Sequence, residues 1–130
     1  EVHAPDGTPR PPSSLVGLCP QKDMLFTDLS AYENLRLHAG LRGVRGAHDA
    51  CRALLREVGL AGKEAEMARR LSGGMQRKLS VAIAFVGERS IRVLDEPTTG
   101  MDPISRQEVW NVFSRRTERS CILLTTHSME

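Results

Sequence analysis

An α/β fold built on a parallel sheet is what this sequence predicts, and three observations predict it. Short apolar runs at residues 15–19, 91–94 and 121–126 have the length of buried strands. Helical stretches separate them, and the order strand, helices, strand, helix, strand calls for helical crossovers between parallel strands. Residues 30–70 are helical and strand-free, and read as a helical subdomain inserted after the first strand.

Residues 4–14 carry Pro5, Gly7, Pro9, Pro11, Pro12, Ser13 and Ser14 and read as turn or loop. Leu15–Cys19 is a short apolar strand stopped by Pro20. Ser30 and Glu33 stand at capping-box spacing and open a helix to about Ala39. Gly40, Gly43 and Gly46 punctuate the turn that follows. Ala47, Ala50, Cys51, Leu54, Leu55 and Val58 repeat at helical spacing, and Gly59 is a natural C-cap. A third helix opens at Ser72–Gly74 and runs to about Val86. Its last six residues are apolar all round, which requires burial. Ile91–Leu94 is a strand. Asp102 before Pro103 places an N-cap ahead of a proline at the first helical position, and a helix follows to about Arg116. Cys121–Thr126 is the last strand. The chain shows no internal repeat and no low-complexity tract.

The 130 residues are 40% hydrophobic and 26% charged, as in a globular domain with a real core. Eighteen basic and 16 acidic residues are mixed along the chain for a net charge of +2, which favours neither nucleic acid nor an anionic membrane surface. Three cysteines, Cys19, Cys51 and Cys121, form no zinc or disulfide pattern and read as free thiols in a reducing compartment. No apolar run is long enough to span a bilayer, and the Glu1–Pro5 start is not a signal peptide. A membrane part is expected elsewhere in a longer polypeptide or on a partner.

Four features carry chemistry. Leu71-Ser72-Gly73-Gly74-Met75-Gln76 sets two glycines at the head of a helix. Unpaired amides and the positive dipole end face outward there, and glycines let a phosphate approach the backbone. Alone, the string is as easily an ordinary glycine turn capped by Ser72. Asp95-Glu96 follows the strand Ile91–Leu94, at the end where parallel sheets bind ligands. Asp95 suits Mg²⁺ through water, and Glu96 suits a general base for an attacking water. Two solvated acids at a strand end are the plain alternative. His127, just after the last strand, could bond a terminal phosphate or orient water, and Gln21 could reach a metal or water, though either residue standing alone is more often incidental.

Together, in this order and spacing, these pieces resemble the ATP-binding-cassette (ABC) ATPases. Gln21 looks like the family's Q-loop glutamine, and Leu71–Gln76 like its signature motif. Ile91–Glu96 resembles the Walker B strand with its catalytic glutamate, Gly100-Met101-Asp102 the D-loop, and His127 the H-loop switch. The likeness covers about residues 15–130. Within the family the chain is most similar to the A subfamily of lipid exporters. The marks are Gly17-Leu18-Cys19-Pro20-Gln21, Met24-Leu25-Phe26 with Glu33-Asn34-Leu35, Leu71 to Ser80, Glu96 to Pro103, and Thr126 to Glu130.

The resemblance implies a P-loop NTPase (RecA-like) core with an inserted helical subdomain. Residues 1–29 and 71–130 would be mainly core and 30–70 the subdomain. It implies ATP and Mg²⁺ as ligands, and a second ABC ATPase domain, in the same chain or a homodimer, as partner. Two ATP molecules would be sandwiched head to tail. Ser72, Gly73, Gly74 and Gln76 would touch the nucleotide of the opposite domain. Gln21, Asp95, Glu96 and His127 would serve this domain's own, with Asp102 at the seam. Membrane-spanning domains would be driven from the cytoplasmic face, with the substrate a lipid or amphiphile. Two other readings remain open: a non-transporting ABC ATPase, which coiled-coil heptads beside the signature would mark, and a degenerate regulatory cassette, which loss of Glu96 or His127 would mark. The chain shows none of these signs.

Two departures stand out. Nothing matches the Walker A pattern Gly-x-x-x-x-Gly-Lys-Ser/Thr, and Gly62-Lys63 reads as surface turn, so the chain looks truncated at its N-terminus. Arg92 interrupts an otherwise apolar strand, and is expected near the strand's start with its head in solvent.

Overall fold

The chain, as a computed structural model, is described at Gly7 and over residues 16–126. Three strands, β1 (Val16–Cys19), β2 (Ile91–Asp95) and β3 (Cys121–Thr125), form a sheet in the order β1-β2-β3. All pair in parallel. Val16 lies opposite Ile91 and Cys19 opposite Leu94, while Ile91 lies opposite Cys121 and Asp95 opposite Thr125. Four helices connect them: α1 (Ala31–Leu41), α2 (Ala47–Glu57), α3 (Gly73–Phe85) and α4 (Pro103–Arg116). The expected strands and helices are all present, while the turn expected over residues 4–14 lies, but for Gly7, outside the described residues. Single turns at Ala68–Arg70 and Thr117–Arg119, too short for any periodicity, were not expected.

The helix starts follow from their caps. The Ser30 hydroxyl accepts from the Glu33 amide (3.1 Å), and the Glu33 carboxylate accepts from the Ser30 amide (2.7 Å), a closed capping box. Asp102 accepts from the Ser105 amide at 3.1 Å, ahead of Pro103. The C-terminus of α3 has no basic residue of its own. Arg42, from the turn after α1, donates to the carbonyls of Val86 (3.0 Å) and Ile83 and places a cation at the negative end of the helix.

One hydrophobic cluster runs through helices and sheet. It takes Leu35 and Ala39 from α1, Leu54 and Leu55 from α2, Leu79 and Val81 to Phe85 from α3, and Val109, Val112 and Phe113 from α4. Phe85 stacks on Phe113 at 5.7 Å between centroids. Burying each large apolar side chain contributes about 1.5–3 kcal/mol, which accounts for the all-apolar end of α3. Gly17 lets that helix lie on the sheet: a Cβ there would run into the Ala84 carbonyl oxygen. Among the described residues the sheet is covered on one side only. Gly17, Cys19, Arg92 and Leu94 are buried, whereas Val16, Leu18, Ile91 and Leu123, on the other face, stand exposed.

Arg92 corrects one expectation. It is 5% exposed and does not reach solvent. Its guanidinium lies 4.8 Å from the Phe85 ring centre and donates to the carbonyls of Arg89 (2.9 Å) and Gly87 (3.0 Å). The loop before β2 turns its carbonyls inward, and that makes a buried arginine tolerable. Burial, then the neighbouring Arg116, Arg42 and Arg89, bring its pKa down to about 10.

Candidate functional site

Parallel pairing brings the carboxyl ends of all three strands to one edge, which is where Pro20-Gln21, Asp95-Glu96 and Thr126 lie. Asp95 ends β2, and its Oδ1 accepts from the Thr125 hydroxyl at 2.5 Å. Glu96 extends the ladder by one bond, its amide donating to the Thr125 carbonyl at 2.9 Å. Its backbone then turns left-handed, with φ 47°, the only described non-glycine residue to do so. That conformation costs roughly 1–2 kcal/mol. Strain of this kind persists only where surrounding contacts over-determine it. The carboxylate itself is turned inward, 7% exposed, and accepts from the Thr99 hydroxyl at 3.0 Å. The chain continues through Gly100, φ 77°, to the Asp102 cap. Bonding to Ser105 holds the exposed Asp102 carboxyl below its usual range.

A residue with no sequence signal organises this edge. Arg77, in the second turn of α3, is 4% exposed. Its Nη1 donates to the Pro20 carbonyl (2.5 Å) and to Asp23 Oδ1 (2.9 Å). Its Nη2 donates to the carbonyls of Glu96 (3.0 Å) and Asp95. The first loop, after β1, carries Gln21, which is exposed. The second carries the two acids. Beneath them sits Cys19, whose thiol is pushed up to about 11 by burial, with Arg77 opposing the rise. It is a core group and not a nucleophile.

The loop after Gln21 is anchored by Asn34, fully buried in α1. Its amide oxygen accepts from the Phe26 amide (2.9 Å), and its nitrogen donates to the carbonyls of Phe26 (3.0 Å) and Ser30 (3.0 Å). The string Glu33-Asn34-Leu35 is thus a cap, a loop anchor and a core residue.

The head of α3 is open. The Ser72 hydroxyl accepts from the Met75 amide at 3.2 Å. Gly73 and Gly74 fill the first two helical positions, and a Cβ added at either would meet nothing within 4 Å. Neither has the positive φ that favours glycine. Glycine costs a helix about 0.5–1 kcal/mol relative to alanine, and no contact within the fold requires it here. Room for an outside group is what these residues provide, at amides bearing the positive end of the helix dipole. Gln76 turns the other way, its side-chain nitrogen donating to the Ala68 carbonyl at 2.9 Å.

The structure therefore brings Asp95, Glu96 and, through Arg77, the Gln21 loop to one edge. The Ser72–Gly74 corner lies further along α3, with Asp102 exposed at its own helix start. His127 lies outside the described residues. Thr125, Thr99 and Arg77 complete the edge and were not anticipated. Thr99, three residues after Glu96, is the one that a capping-type spacing search would have found.

Among the described residues no three acidic, histidine or cysteine side chains cluster as a protein-only metal cage. A hard divalent cation held by substrate phosphates, waters and one or two carboxylates needs no such cage. Asp95, with one oxygen engaged by Thr125, fits that role.

The family profile described as ABC transporter matches residues 3–99. The chain is 44% identical over 118 residues to an Arabidopsis thaliana ABC transporter A family member 11, covering 89% of this chain and 12% of the relative. It is 45% identical over 118 residues to the Mus musculus retinal-specific phospholipid-transporting ATPase ABCA4, covering 88% of this chain and 5% of the relative. To the Homo sapiens phospholipid-transporting ATPase ABCA3 it is 42% identical over 117 residues, covering 88% and 7%. The chain thus spans a small part of each relative's length. Among solved structures, an ATP-binding subunit of an ABC transporter superposes with a TM-score of 0.77 at 29% identity, over 88% of this chain and 49% of that one. A dimeric post-hydrolysis ATP-binding cassette bound to ADP and Pi gives a TM-score of 0.79 at 21% identity, a likeness of fold, over 87% and 52%.

Proposed function

The chain belongs to the ABC transporter family, and from that premise we propose that it is part of the ATP-hydrolysing motor domain of an A-subfamily transporter that moves phospholipid or a similar amphiphile. The observation that carries the reading is Glu96: a buried carboxylate beside Asp95, at the carboxyl end of a parallel strand, in a left-handed turn.

ATP, with Mg²⁺, supplies the transferable phosphoryl group and the charge that the metal neutralises. The residues of this chain do the rest. Glu96 takes the proton of the attacking water. Asp95 holds the cation, directly or through water. Gln21 closes the metal side of the edge, and His127 is assigned the terminal phosphate. Ser72, Gly73 and Gly74 receive a phosphate carried by a second cassette, a reading supported by the open space at both glycines. Asp102 falls to the seam between the cassettes. Residues 1–29 and 71–130 form mainly the core of the domain, and 30–70 its helical subdomain.

Among the described residues no helix is long and apolar enough to cross a membrane. Membrane segments of the same or another polypeptide would dock beside the loop after Gln21, where Met24 and Phe26 stand 76% and 53% exposed. In this reading the cassette works at the cytoplasmic face of a membrane. The apolar side chains there suit partner helices.

Glu96→Gln in the complete transporter tests the assignment. Loss of a general base typically costs about 10²–10⁴-fold in rate. Steady-state hydrolysis should fall by that factor while nucleotide binding survives, and near-normal turnover would show that the base is another group.

A further inference from the structure

The contacts of Arg77 join two loops that are far apart in sequence. One branch of its guanidinium holds Pro20 and Asp23, and the other holds the carbonyls of Asp95 and Glu96. The second pair flanks the peptide whose left-handed turn aims the Glu96 carboxylate. Arg77 itself rides on α3, five residues past the Ser72 cap, or about 7 Å along a helix rising 1.5 Å per residue. A helix over that distance is a stiff element. Any shift at its head reaches the guanidinium, whose release would take a charged donor from three backbone carbonyls.

We propose that Arg77 is a positioning residue that couples the phosphate seat at the head of α3 to the loop that aims Glu96, so that docking of the opposite cassette's nucleotide sets the base at this one. The proposal rests on the roles given above to α3 and Glu96. A lysine at this position keeps the charge but cannot span both pairs of acceptors, because its ammonium is a point donor and not a planar fork.

The test is a double-mutant cycle in the full-length transporter, reading kcat, KM for ATP, nucleotide photolabelling and unfolding temperature. Arg77→Lys is expected to lower kcat by about 10–100-fold, the usual effect of losing a supporting hydrogen-bond partner. KM and photolabelling should stay within about twofold. In the Glu96→Gln background the same substitution should have no further effect on kcat, because Arg77 acts only through Glu96. Asp23→Asn, which loosens one anchor of the fork, should give a smaller loss that also vanishes in that background, and it carries the test if Arg77→Lys does not fold. An equal fold-loss with and without Glu96, or a fall in kcat matched by losses of labelling and unfolding temperature, would overturn the coupling and leave Arg77 a structural staple. A Glu96→Gln variant with undiminished turnover would instead sink the assignment of the base, and the coupling with it.

Discussion

Replacing Gly73 and Gly74 with alanine separates what the fold needs from what a ligand needs. Both occupy helical positions with negative φ, and a Cβ at either meets nothing within 4 Å. Alanine should therefore gain the ordinary helix-propensity difference of about 0.5–1 kcal/mol per site without strain. The pair should add about 1–2 kcal/mol, a rise in melting temperature of roughly 4 °C per kcal/mol for a domain of this size. Function should move the opposite way. Two methyl groups fill the space through which a phosphate would approach the amides. Gly74→Asp goes further, adding a negative charge against a dipole interaction of about 0.3–1 kcal/mol. In the complete transporter, closure of the two cassettes, read by crosslinking across the seam, should drop for the alanine variants and vanish for Gly74→Asp. Photolabelling of this cassette's own nucleotide should persist in all three. Destabilisation by alanine would mean that the glycines serve the fold, and the argument for an outside phosphate would fail. Loss of self-labelling as complete as the loss of crosslinking would place the α3 head on the wrong nucleotide.

Two further outcomes are expected. The 130-residue chain, which contains no Walker A pattern, should turn over no ATP and bind Mg·ATP only weakly, because the main cradle for the β- and γ-phosphates is missing. Calorimetric titration with micromolar affinity would contradict this. Of the three thiols, exposed Cys121 should react with a disulfide reagent near pH 8, and buried Cys19 and Cys51 only on unfolding. Cys19, pushed up to about 11 by burial, keeps its proton in the folded chain after the unfolded chain has lost its own. Its contribution to stability is therefore full below about pH 9 and lost as the pH rises toward 11. Rapid modification of Cys19 in the native state at pH 8 would refute its placement.

The helix starts were legible because caps are local. Ser30 with Glu33 and Asp102 with Pro103 are each written within four residues. The apolar strands and the all-apolar end of α3 announced burial just as directly. Arg77 was not legible. Its partners lie 57 and 18 residues away, and a helix buried all round gives no hint which of its polar residues turns inward. Arg92 misled for the same reason. A charge in an apolar strand points to solvent unless backbone carbonyls come to meet it, and that depends on the shape of the preceding loop. Lys78 repeats the lesson: 7% exposed, it pairs with Glu108 of α4 at 2.5 Å. The bond from the Gln76 side chain to the Ala68 carbonyl was equally illegible, since nothing in the sequence says which carbonyl that amide meets.

The half-covered sheet has a consequence for biogenesis. Among the described residues Val16, Leu18, Ile91 and Leu123 make an apolar face without a cover, and β3 pairs only with β2. Such a surface is sticky for as long as it stays bare, and an open edge of this kind templates the addition of strands from other chains. These residues are therefore the ones that a nascent polypeptide must shield first. The interval between their emergence from the ribosome and the closing of that face is when the protein is most exposed to aggregation and most in need of chaperones.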